Sequence, residues 1–292
     1  MHLVSADIDG TQIPAKNLKI QTDHPAYPAS HVLKREAEAL QDSGVLGWVH
    51  NSGRSLTHIM QDVQPTPSNP SPILTRPLAI IANVGTEIYL MKDGLPSPLA
   101  SWREHLAQQF TPDLRRDMAE AFKNQFGQRQ DAVVFQPDAH QGAFKLSFTL
   151  KGDQADVTAR EMDKLFGQFP GVRTTFSGGW AFDVTPERAT KGTAMAHLAD
   201  HLGVPHQRVI VAGDTENDLQ MFEAKFRGIV VGNARQGLVD GLQGRPAGQI
   251  VFAQGQIADG VLEGLAAHGL PVAQPSAPGA RRGPGLCKQQ NL

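Results

Sequence analysis

The 292-residue chain has little cysteine, no excess of positive charge and no long hydrophobic run. Its one cysteine, Cys287, excludes an internal disulfide framework and a site built from several thiolate ligands. Lys and Arg total 27 against 29 for Asp and Glu, so the net charge of −2 does not indicate binding to nucleic acid or an anionic membrane. No apolar run approaches the roughly 18 residues of a membrane span, and none resembles a secretion signal ahead of Asp7. We therefore expect a cytoplasmic protein that binds a small molecule.

The rest of the composition is that of an ordinary globular protein. Hydrophobic residues make up 40% of the chain and charged residues 19%. The length allows one large domain or two ordinary ones. Residues 269–292 are rich in Pro, Ala, Gly, Arg and Gln, which predicts a disordered tail.

The first motif with chemical meaning is DIDGT, residues 7–11, directly after the apolar run His2–Ala6. Side chains two residues apart in a strand point the same way, so Asp7 and Asp9 would leave the strand end together. Two anions this close need a cation between them, or one must stay protonated, and Mg²⁺ with oxygen ligands meets that need. An Asp-Gly turn without chemistry is the alternative that this motif alone leaves open.

Two further turns follow predicted strands. The strand Val45–Val49 leads into residues 50–55 and a helix, an arrangement that points Ser52 and the backbone N–H groups near Gly53 at an anion. A plain N-cap is the commoner role for such a serine and stays open. The strand Arg208–Ala212 leads into the acidic turn GDTEND, residues 213–218, while Lys191 opens another helix. Alternating strands and helices predict a right-handed, mostly parallel sheet that binds ligands at its carboxyl edge.

The middle of the chain has a different pattern. Residues 95–178 contain helices and strands without a phosphate-binding turn, which indicates an inserted α+β domain. Residues 145–151 alternate strictly, with Leu146 and Phe148 on one face and Lys145 and Ser147 on the other. The apolar face is predicted to carry the inserted helices, and the polar face to meet either water or a substrate.

These motifs, in this order, resemble the haloacid dehalogenase superfamily, in the Cof-like (type IIB) branch with a cap inserted between the second and third motifs. The segments NVGTEIY (83–89), FKLSF (144–148) and 177–183 are similar to the sucrose-phosphate phosphatases. The chain departs from that pattern with Asn51 before Ser52, and with Trp180-Ala181 where a polar or acidic pair is usual. The resemblance covers residues 1–268. It implies a Rossmann-like parallel-sheet core, residues 1–94 and 179–268, and an α+β cap at 95–178 that sets specificity.

The resemblance also implies a reaction and its residues. The expected activity is Mg²⁺-dependent hydrolysis of a sugar phosphate, first of all sucrose 6-phosphate, through an aspartyl-phosphate on Asp7 with Asp9 as acid and base. The implied catalytic residues are Asp7, Asp9, Ser52 and Lys191. The implied Mg²⁺ ligands are Asp7, the backbone carbonyl of Asp9, Asp214 and Asp218. The implied substrate-binding residues are Thr11, Gly53, Arg54, Lys145, Ser177, Gly178 and Asn217, of which Asn217 is expected to orient Lys191 or a metal-bound water.

Other functions stay open at this point. The same chemistry serves other glycosyl phosphates, of the mannosyl-3-phosphoglycerate or glucosylglycerol phosphate type, and a phosphosugar mutase. A non-catalytic phosphosugar-binding regulator is a different class, which the presence of both Asp7 and Asp9 disfavours. A sugar-phosphate synthase is the expected protein partner, and the oligomeric state is not predicted.

Overall fold

The computed structural model describes residues 1–15, 27–67, 69–223, 225–246 and 248–273. In chain order the strands are β1 (His2–Ala6), β2 (Leu46–Asn51), β3 (Ala79–Ala82), β4 (Glu87–Lys92), β5 (Leu95–Pro98), β6 (Val133–Phe135), β7 (Leu146–Leu150), β8 (Val172–Ser177), β9 (Ala181–Pro186), β10 (Val209–Gly213), β11 (Arg227–Val230) and β12 (Ile250–Phe252). The helices are α1 (Tyr27–Asp42), α2 (Leu56–Val63), α3 (Ala100–Ala107), α4 (Pro112–Phe126), α5 (Ala155–Phe166), α6 (Lys191–His201), α7 (Leu219–Glu223), α8 (Gln236–Gly241) and α9 (Ile257–Ala267). Residues 274–292, which form most of the predicted tail and include Cys287, lie outside the described residues.

The larger sheet has the strand order β12-β11-β10-β1-β2-β3-β4-β5. Its strands from β12 to β3 pair in parallel, and β4 and β5 are antiparallel additions at one edge. β1 lies between β10 and β2, so the residues that follow these three strands meet at one edge of the sheet. This parallel-dominated α/β sheet confirms the predicted fold class.

Helices cover both faces of the larger sheet because successive strand residues point to opposite sides. Val4 packs in an apolar cluster with Leu33 of α1 and Leu265 of α9. Leu3, on the opposite face, belongs to a second cluster that includes Leu198 of α6. With both faces buried, β1 is held rigidly at the centre of the sheet.

The smaller sheet is antiparallel, in the order β6-β7-β9-β8. We call residues 112–186, which contain this sheet with α4 and α5, the four-stranded unit. The alternation in β7 places Phe148 in the apolar interior, with ring centroids 4.5 Å from Phe122 of α4 and 5.6 Å from Phe166 of α5. Helices therefore cover the apolar face of this sheet, as the pattern predicts.

Leu146→Ala tests this packing. The Leu146 side chain is 2% exposed and belongs to the same cluster as Phe148 and Phe182. Its truncation is expected to lower the free energy of unfolding by about 2–5 kcal/mol, because a cavity replaces the lost contacts. Urea denaturation of the variant measures this loss, and an unchanged midpoint would contradict the packing.

The predicted domain limits differ from the sheets at both ends. β5, placed in the inserted segment by the sequence, pairs with β4 in the larger sheet. β9, placed in the core, pairs with β7 and β8 in the smaller sheet. For β9 the cause is the turn after Ser177, where Gly178 and Gly179 have positive φ and form a hairpin rather than a domain boundary. Within the described part of the chain, no helix is both long and apolar enough to cross a bilayer.

Candidate active site

Three carboxylates and one ammonium group form a buried cluster at the carboxyl edge of the larger sheet. Asp7 follows β1, and Asp214 and Asp218 follow β10. Each offers a carboxylate oxygen, and these oxygens lie within 4.8 Å of one another. Lys191 Nζ donates hydrogen bonds of 2.7 Å to Asp7 Oδ1 and 2.7 Å to Asp218 Oδ1. The structure thus brings together these four predicted residues, and Asn217 is not among the hydrogen-bond partners of the Lys191 ammonium group.

The backbone around Lys191 explains its placement. Lys191 is the first residue of α6, which begins with a capping box between Thr190 and Thr193. The Asn51 amide, at the end of β2, donates to the Lys191 carbonyl at 3.0 Å. A Cβ on Gly85 would lie 2.3 Å from the Thr190 carbonyl oxygen, so only glycine allows this close approach. Glycine in the VGTEI segment therefore serves the position of the lysine.

The cluster contains three carboxyl groups and one ammonium group. Burial raises the pKa of Asp7 to about 8; of its neighbours, Lys191 acts in the opposite direction, whereas Asp218 and Asp214 add to the rise. Burial, and then the charge of Asp218, raise the pKa of Asp214 to about 7. Burial alone would lower the pKa of Lys191, but the charges of Asp218 and Asp7 outweigh it and raise that pKa. Lys191 therefore stays protonated, and the raised pKa values of Asp7 and Asp214 indicate that a further cation would favour their ionised forms.

The Asp9 carboxylate is held separately from this cluster. Arg54 Nε donates to Asp9 Oδ2 at 2.6 Å, and Arg54 Nη2 donates to Asp9 Oδ1. The third nitrogen, Arg54 Nη1, donates to Asp62 Oδ2 at 2.6 Å. Arg54 was predicted to bind substrate, and in this structure it orients the candidate acid and base. Asp62 is a partner that sequence reasoning missed, because a helix-surface carboxylate carries no signal of its own.

Ser52 and the residues around it lie where the sequence predicts. Ser52 is buried, and its Oγ accepts a hydrogen bond of 3.2 Å from the Arg54 N–H. The N-cap of α2 is Ser55, so the N-cap role that was left open for Ser52 is excluded. Both Ser52 and Gly53 line the cavity described below.

Two predicted substrate-binding residues do not line that cavity. Thr11 is fully buried and donates its hydroxyl to Asp214 Oδ1 at 3.1 Å, so it supports the acidic cluster instead. Gly178 lies in the turn between β8 and β9, and a Cβ there would come 2.9 Å from Trp180 Nε1. Both side-chain positions serve a neighbour rather than a ligand.

A cavity of about 520 Å³ lies between the edge of the larger sheet and the four-stranded unit, a size that suits a small molecule. Its lining from the larger-sheet side includes Asp7, Asp9, Ser52, Gly53, Arg54, Lys191, Asp214 and Asn217. Its lining from the four-stranded unit includes Gln136, His140, Lys145, Thr175, Ser177, Trp180, Ala181 and Asp183. A larger cavity of about 830 Å³ lies between α4 and β6, but no residue of the acidic cluster is among its lining. The chemistry therefore belongs to the smaller one.

Lys145 faces this cavity from β7's N-terminal end. Its Nζ lies 3.4 Å from Asp183 Oδ1, which also accepts a 2.6 Å hydrogen bond from Ser147 Oγ. Asp183 is on β9, directly across from Ser147 and Thr175. Sequence reasoning did not assign Asp183 to the site, although the alternation of residues 181–185 after the Gly-Gly turn was a readable strand signal.

Lys145→Ala should weaken substrate binding rather than the chemical step. Lys145 lines the wall opposite Asp7 and takes no part in the hydrogen bonds of the acidic cluster. We expect KM to rise more than kcat falls, the pattern of a lost contact present in both ground and transition states. Steady-state kinetics of Lys145→Ala, compared with those of Leu146→Ala, check this. The Leu146 variant is the control, because it should lose stability and keep its KM. Equal kinetics for Lys145→Ala and the native chain would contradict the orientation of β7.

A neutral histidine supports the backbone beneath Asp7. The Gln12 amide donates to the carbonyls of Ala6 and Asp7, and also contacts His50 Nδ1 at 3.2 Å. His50 Nε2 lies 2.8 Å from the Thr75 carbonyl, so this nitrogen carries the proton and Nδ1 accepts. Burial lowers the pKa of His50 to about 4.

This histidine predicts a pH-dependent stability. Below about pH 6.5 the unfolded chain binds a proton at His50 that the folded chain does not, so unfolding becomes easier as pH falls from 6.5 towards 4. The loss should reach about 3 kcal/mol at the acid end, and none should arise above pH 6.5. Urea unfolding of the native chain and of His50→Gln across this range isolates the contribution. The same pH slope in both would contradict it.

Comparison with known proteins gives concordant matches. The profile of the sucrose-6F-phosphate phosphohydrolase family matches residues 2–269. Mannosylfructose-phosphate phosphatase of Agrobacterium fabrum is 28% identical over 271 residues, 92% of this chain and 98% of the relative. Probable sucrose-phosphatase 1 of Arabidopsis thaliana is 26% identical over 66% of this chain, which spans only 45% of that relative's length.

The solved structures show the same fold. The sucrose-phosphatase of Synechocystis sp. PCC6803, in complex with sucrose and phosphate, aligns with a TM-score of 0.69 at 24% identity, over 91% of this chain and 96% of that one. A haloacid dehalogenase-like hydrolase of Bacillus subtilis aligns with a TM-score of 0.61 at 16% identity, over 90% and 88%. Both likenesses concern the fold.

Proposed function

We propose that this chain, which belongs to the sucrose-6F-phosphate phosphohydrolase family, is a phosphatase of a phosphorylated disaccharide. One observation carries the proposal: Lys191 bridges Asp7 and Asp218 at the base of the cavity that Lys145 lines from the opposite side. A nucleophilic carboxylate beside a fixed cation is the arrangement that phosphoryl transfer needs. The four-stranded unit acts as the cap that selects the sugar.

The reaction proceeds in two steps on this chain's own residues. An Asp7 carboxylate oxygen attacks phosphorus, the bond to the sugar oxygen breaks, and Asp9 gives that oxygen its proton. Arg54, which donates to both oxygens of the Asp9 carboxylate, holds that side chain in place for the proton transfer. Water then attacks the aspartyl-phosphate, Asp9 takes up its proton, and inorganic phosphate leaves. Lys191 and Ser52 hold the phosphoryl oxygens throughout.

The donor set fits Mg²⁺. Three buried carboxylates within reach of one another supply oxygen ligands for a hard cation, and the Asp9 backbone carbonyl is the proposed fourth protein ligand. The Asp9 carboxylate does not belong to this group and instead accepts hydrogen bonds from Arg54. When bound, Mg²⁺ would add positive charge to the phosphoryl oxygens.

Mg²⁺ should stabilise the folded chain. Binding to the folded form alone raises stability by about 2.7 kcal/mol at a hundred times the dissociation constant, so the melting temperature should rise with Mg²⁺ and fall with chelator. Differential scanning fluorimetry measures this rise. Asp214→Asn should abolish it, whereas Asp153→Asn, an exposed acidic residue of the four-stranded unit, should keep it. A melting temperature indifferent to Mg²⁺ in the native chain would contradict the site.

The sugar is the finer part of the proposal. Sucrose 6-phosphate is the first candidate, and a phosphorylated mannosylfructose is the second, because a relative of nearly equal length is a mannosylfructose-phosphate phosphatase. Both are glycosides of fructose, so one cavity suits either. We further propose a cytoplasmic enzyme whose substrate comes from a sugar-phosphate synthase.

Release of inorganic phosphate across a panel of sugar phosphates tests the function. The panel contains sucrose 6-phosphate, phosphorylated mannosylfructose, mannosyl-3-phosphoglycerate, glucosylglycerol phosphate and fructose 6-phosphate. We expect the largest kcat/KM for one of the fructose disaccharides. Transfer of phosphate within the sugar without release would indicate a mutase, and binding without turnover would indicate a regulator, so either result contradicts a phosphatase.

A further inference from the structure

The Trp180 side chain lies on the wall of the cavity and is largely exposed. The chain has three tryptophans. Trp48 and Trp102 are fully buried, whereas Trp180 is 53% exposed and lines the cavity. A large exposed aromatic side chain in a cavity, beside polar groups, is a feature of ligand sites rather than of ordinary surface.

The turn between β8 and β9 holds this indole in place. The backbone N–H of Trp180 donates to the Ser177 carbonyl at 3.2 Å, which closes the turn. Gly178 has φ +61°, and a Cβ there would lie 2.9 Å from Trp180 Nε1 and 3.2 Å from Cδ1. The absence of a side chain at 178 therefore lets the indole pack against the backbone of the turn. A ring backed in this way costs little entropy to present to a ligand.

Hydrogen-bonding side chains lie on the same wall of the cavity as the indole. Ser177 and Ala181 are cross-strand partners beside Trp180, and Thr175 pairs with Asp183 two residues further along the sheet. These side chains line the cavity with Trp180. Hydroxyl and carboxylate groups beside an aromatic face match the two surfaces of a sugar ring, its hydroxyl rim and its C–H face, since the negative face of an aromatic ring attracts C–H groups.

Trp180 lies at the other end of this wall from Lys145. The Trp180 carbonyl accepts from the N–H of Leu150, five positions along the chain from Lys145, which is about 17 Å at roughly 3.4 Å per residue. The Lys145 end contacts the core: a Cβ on Gly142 would lie 3.9 Å from Asn83 Nδ2, and the Asn83 N–H donates to the Arg54 carbonyl at 2.9 Å. The indole is thus at the end remote from that contact.

We propose that Trp180 stacks on the sugar ring that does not carry the phosphate, and that it determines the preference of this chain for a glycosylated sugar phosphate over a monosaccharide phosphate. The inference rests on the proposed phosphatase function. It concerns a residue at which this chain departs from the polar or acidic pair usual at positions 180 and 181.

Kinetics with a disaccharide and a monosaccharide phosphate test the inference. Trp180→Ala should raise KM for sucrose 6-phosphate about tenfold and leave kcat/KM for fructose 6-phosphate within about twofold. Trp180→Phe should restore part of the binding, since a smaller ring keeps a stacking face. Phe252→Ala removes an aromatic side chain of similar exposure on β12 and should leave the kinetic constants for both substrates unchanged. Equal losses for both substrates, or no loss for sucrose 6-phosphate, would overturn the proposal.

A binding measurement separates this inference from the proposed function. Because Trp48 and Trp102 are buried, a fluorescence change on titration with unphosphorylated sucrose should report Trp180 and vanish in Trp180→Phe. A sucrose-dependent change that persists in Trp180→Phe would overturn the stacking role. If the protein hydrolyses no sugar phosphate but shows the Trp180-dependent fluorescence change, the proposed phosphatase function is contradicted and the stacking of Trp180 on a sugar is supported.

Discussion

Replacing Asp7 by asparagine is expected to lower kcat for phosphate release by several orders of magnitude while the protein stays folded. The amide keeps the shape of the side chain but offers no anionic oxygen to attack phosphorus. The position tolerates a neutral group, because burial already raises the pKa of Asp7 to about 8. Lys191 retains its second partner, Asp218, at 2.7 Å. Loss of activity without loss of fold is therefore the expected result.

Single-turnover and steady-state assays with melting curves check this expectation. Asp153→Asn, an exposed carboxylate on the four-stranded unit, is the matched control and should behave as the native chain. If Asp7→Asn kept activity near the native level, another group would be the nucleophile. If it lost its melting transition, the test would be repeated with Asp7→Glu, which keeps the charge but moves the attacking oxygen and should likewise lose activity.

Lys191→Met should be the second largest effect. Removal of a fixed donor that stabilises the charge developing in phosphoryl transfer costs about 10²–10³-fold in kcat. Methionine matches the length of the lysine stem but leaves Asp7 and Asp218 without their shared hydrogen-bond donor. Two buried carboxylates then face each other, so the melting temperature should also fall without Mg²⁺ and recover in part when Mg²⁺ is added.

The control for Lys191 is Lys164→Met. Lys164 is an exposed residue of α5, and the same substitution there should leave kcat and the melting temperature unchanged. Native turnover of the Lys191→Met variant would contradict a role of Lys191 in phosphoryl transfer. Unaltered stability in chelator would contradict the charge imbalance of the cluster.

Much of the fold could be predicted because its signals are local. A buried apolar run that ends in DIDGT, and strands that end in polar glycine turns, indicate a parallel sheet and the edge where its ligands bind. The fold class and the family followed from these patterns, and both are confirmed. The proximity of Asp7 and Asp214 is explained by the pairing of their strands, whereas Lys191 and Asp218 were expected from the family resemblance.

The parts that escaped prediction depend on partners far apart in sequence. Whether β9 belongs to one sheet or the other depends on its pairing with β7, some 35 residues earlier, and not on its own pattern. The Thr11 hydroxyl donates a hydrogen bond to Asp214, 203 residues away in the sequence, so its supporting role could not be predicted from the DIDGT motif. Arg54 could reach Asp9 or a ligand equally well, and only the positions of the backbones decide between them. The roles of individual site residues stay predictions.

The most direct test of the central claim is detection of a phosphoryl group on Asp7. Native protein is mixed with Mg²⁺ and sucrose 6-phosphate, quenched in acid within one turnover, digested and analysed by mass spectrometry. An aspartyl-phosphate intermediate predicts one phosphoryl group on the peptide that contains Asp7, and none on the same peptide from Asp7→Asn. Phosphate release with no phosphorylated peptide, or with the label on another residue, would contradict it.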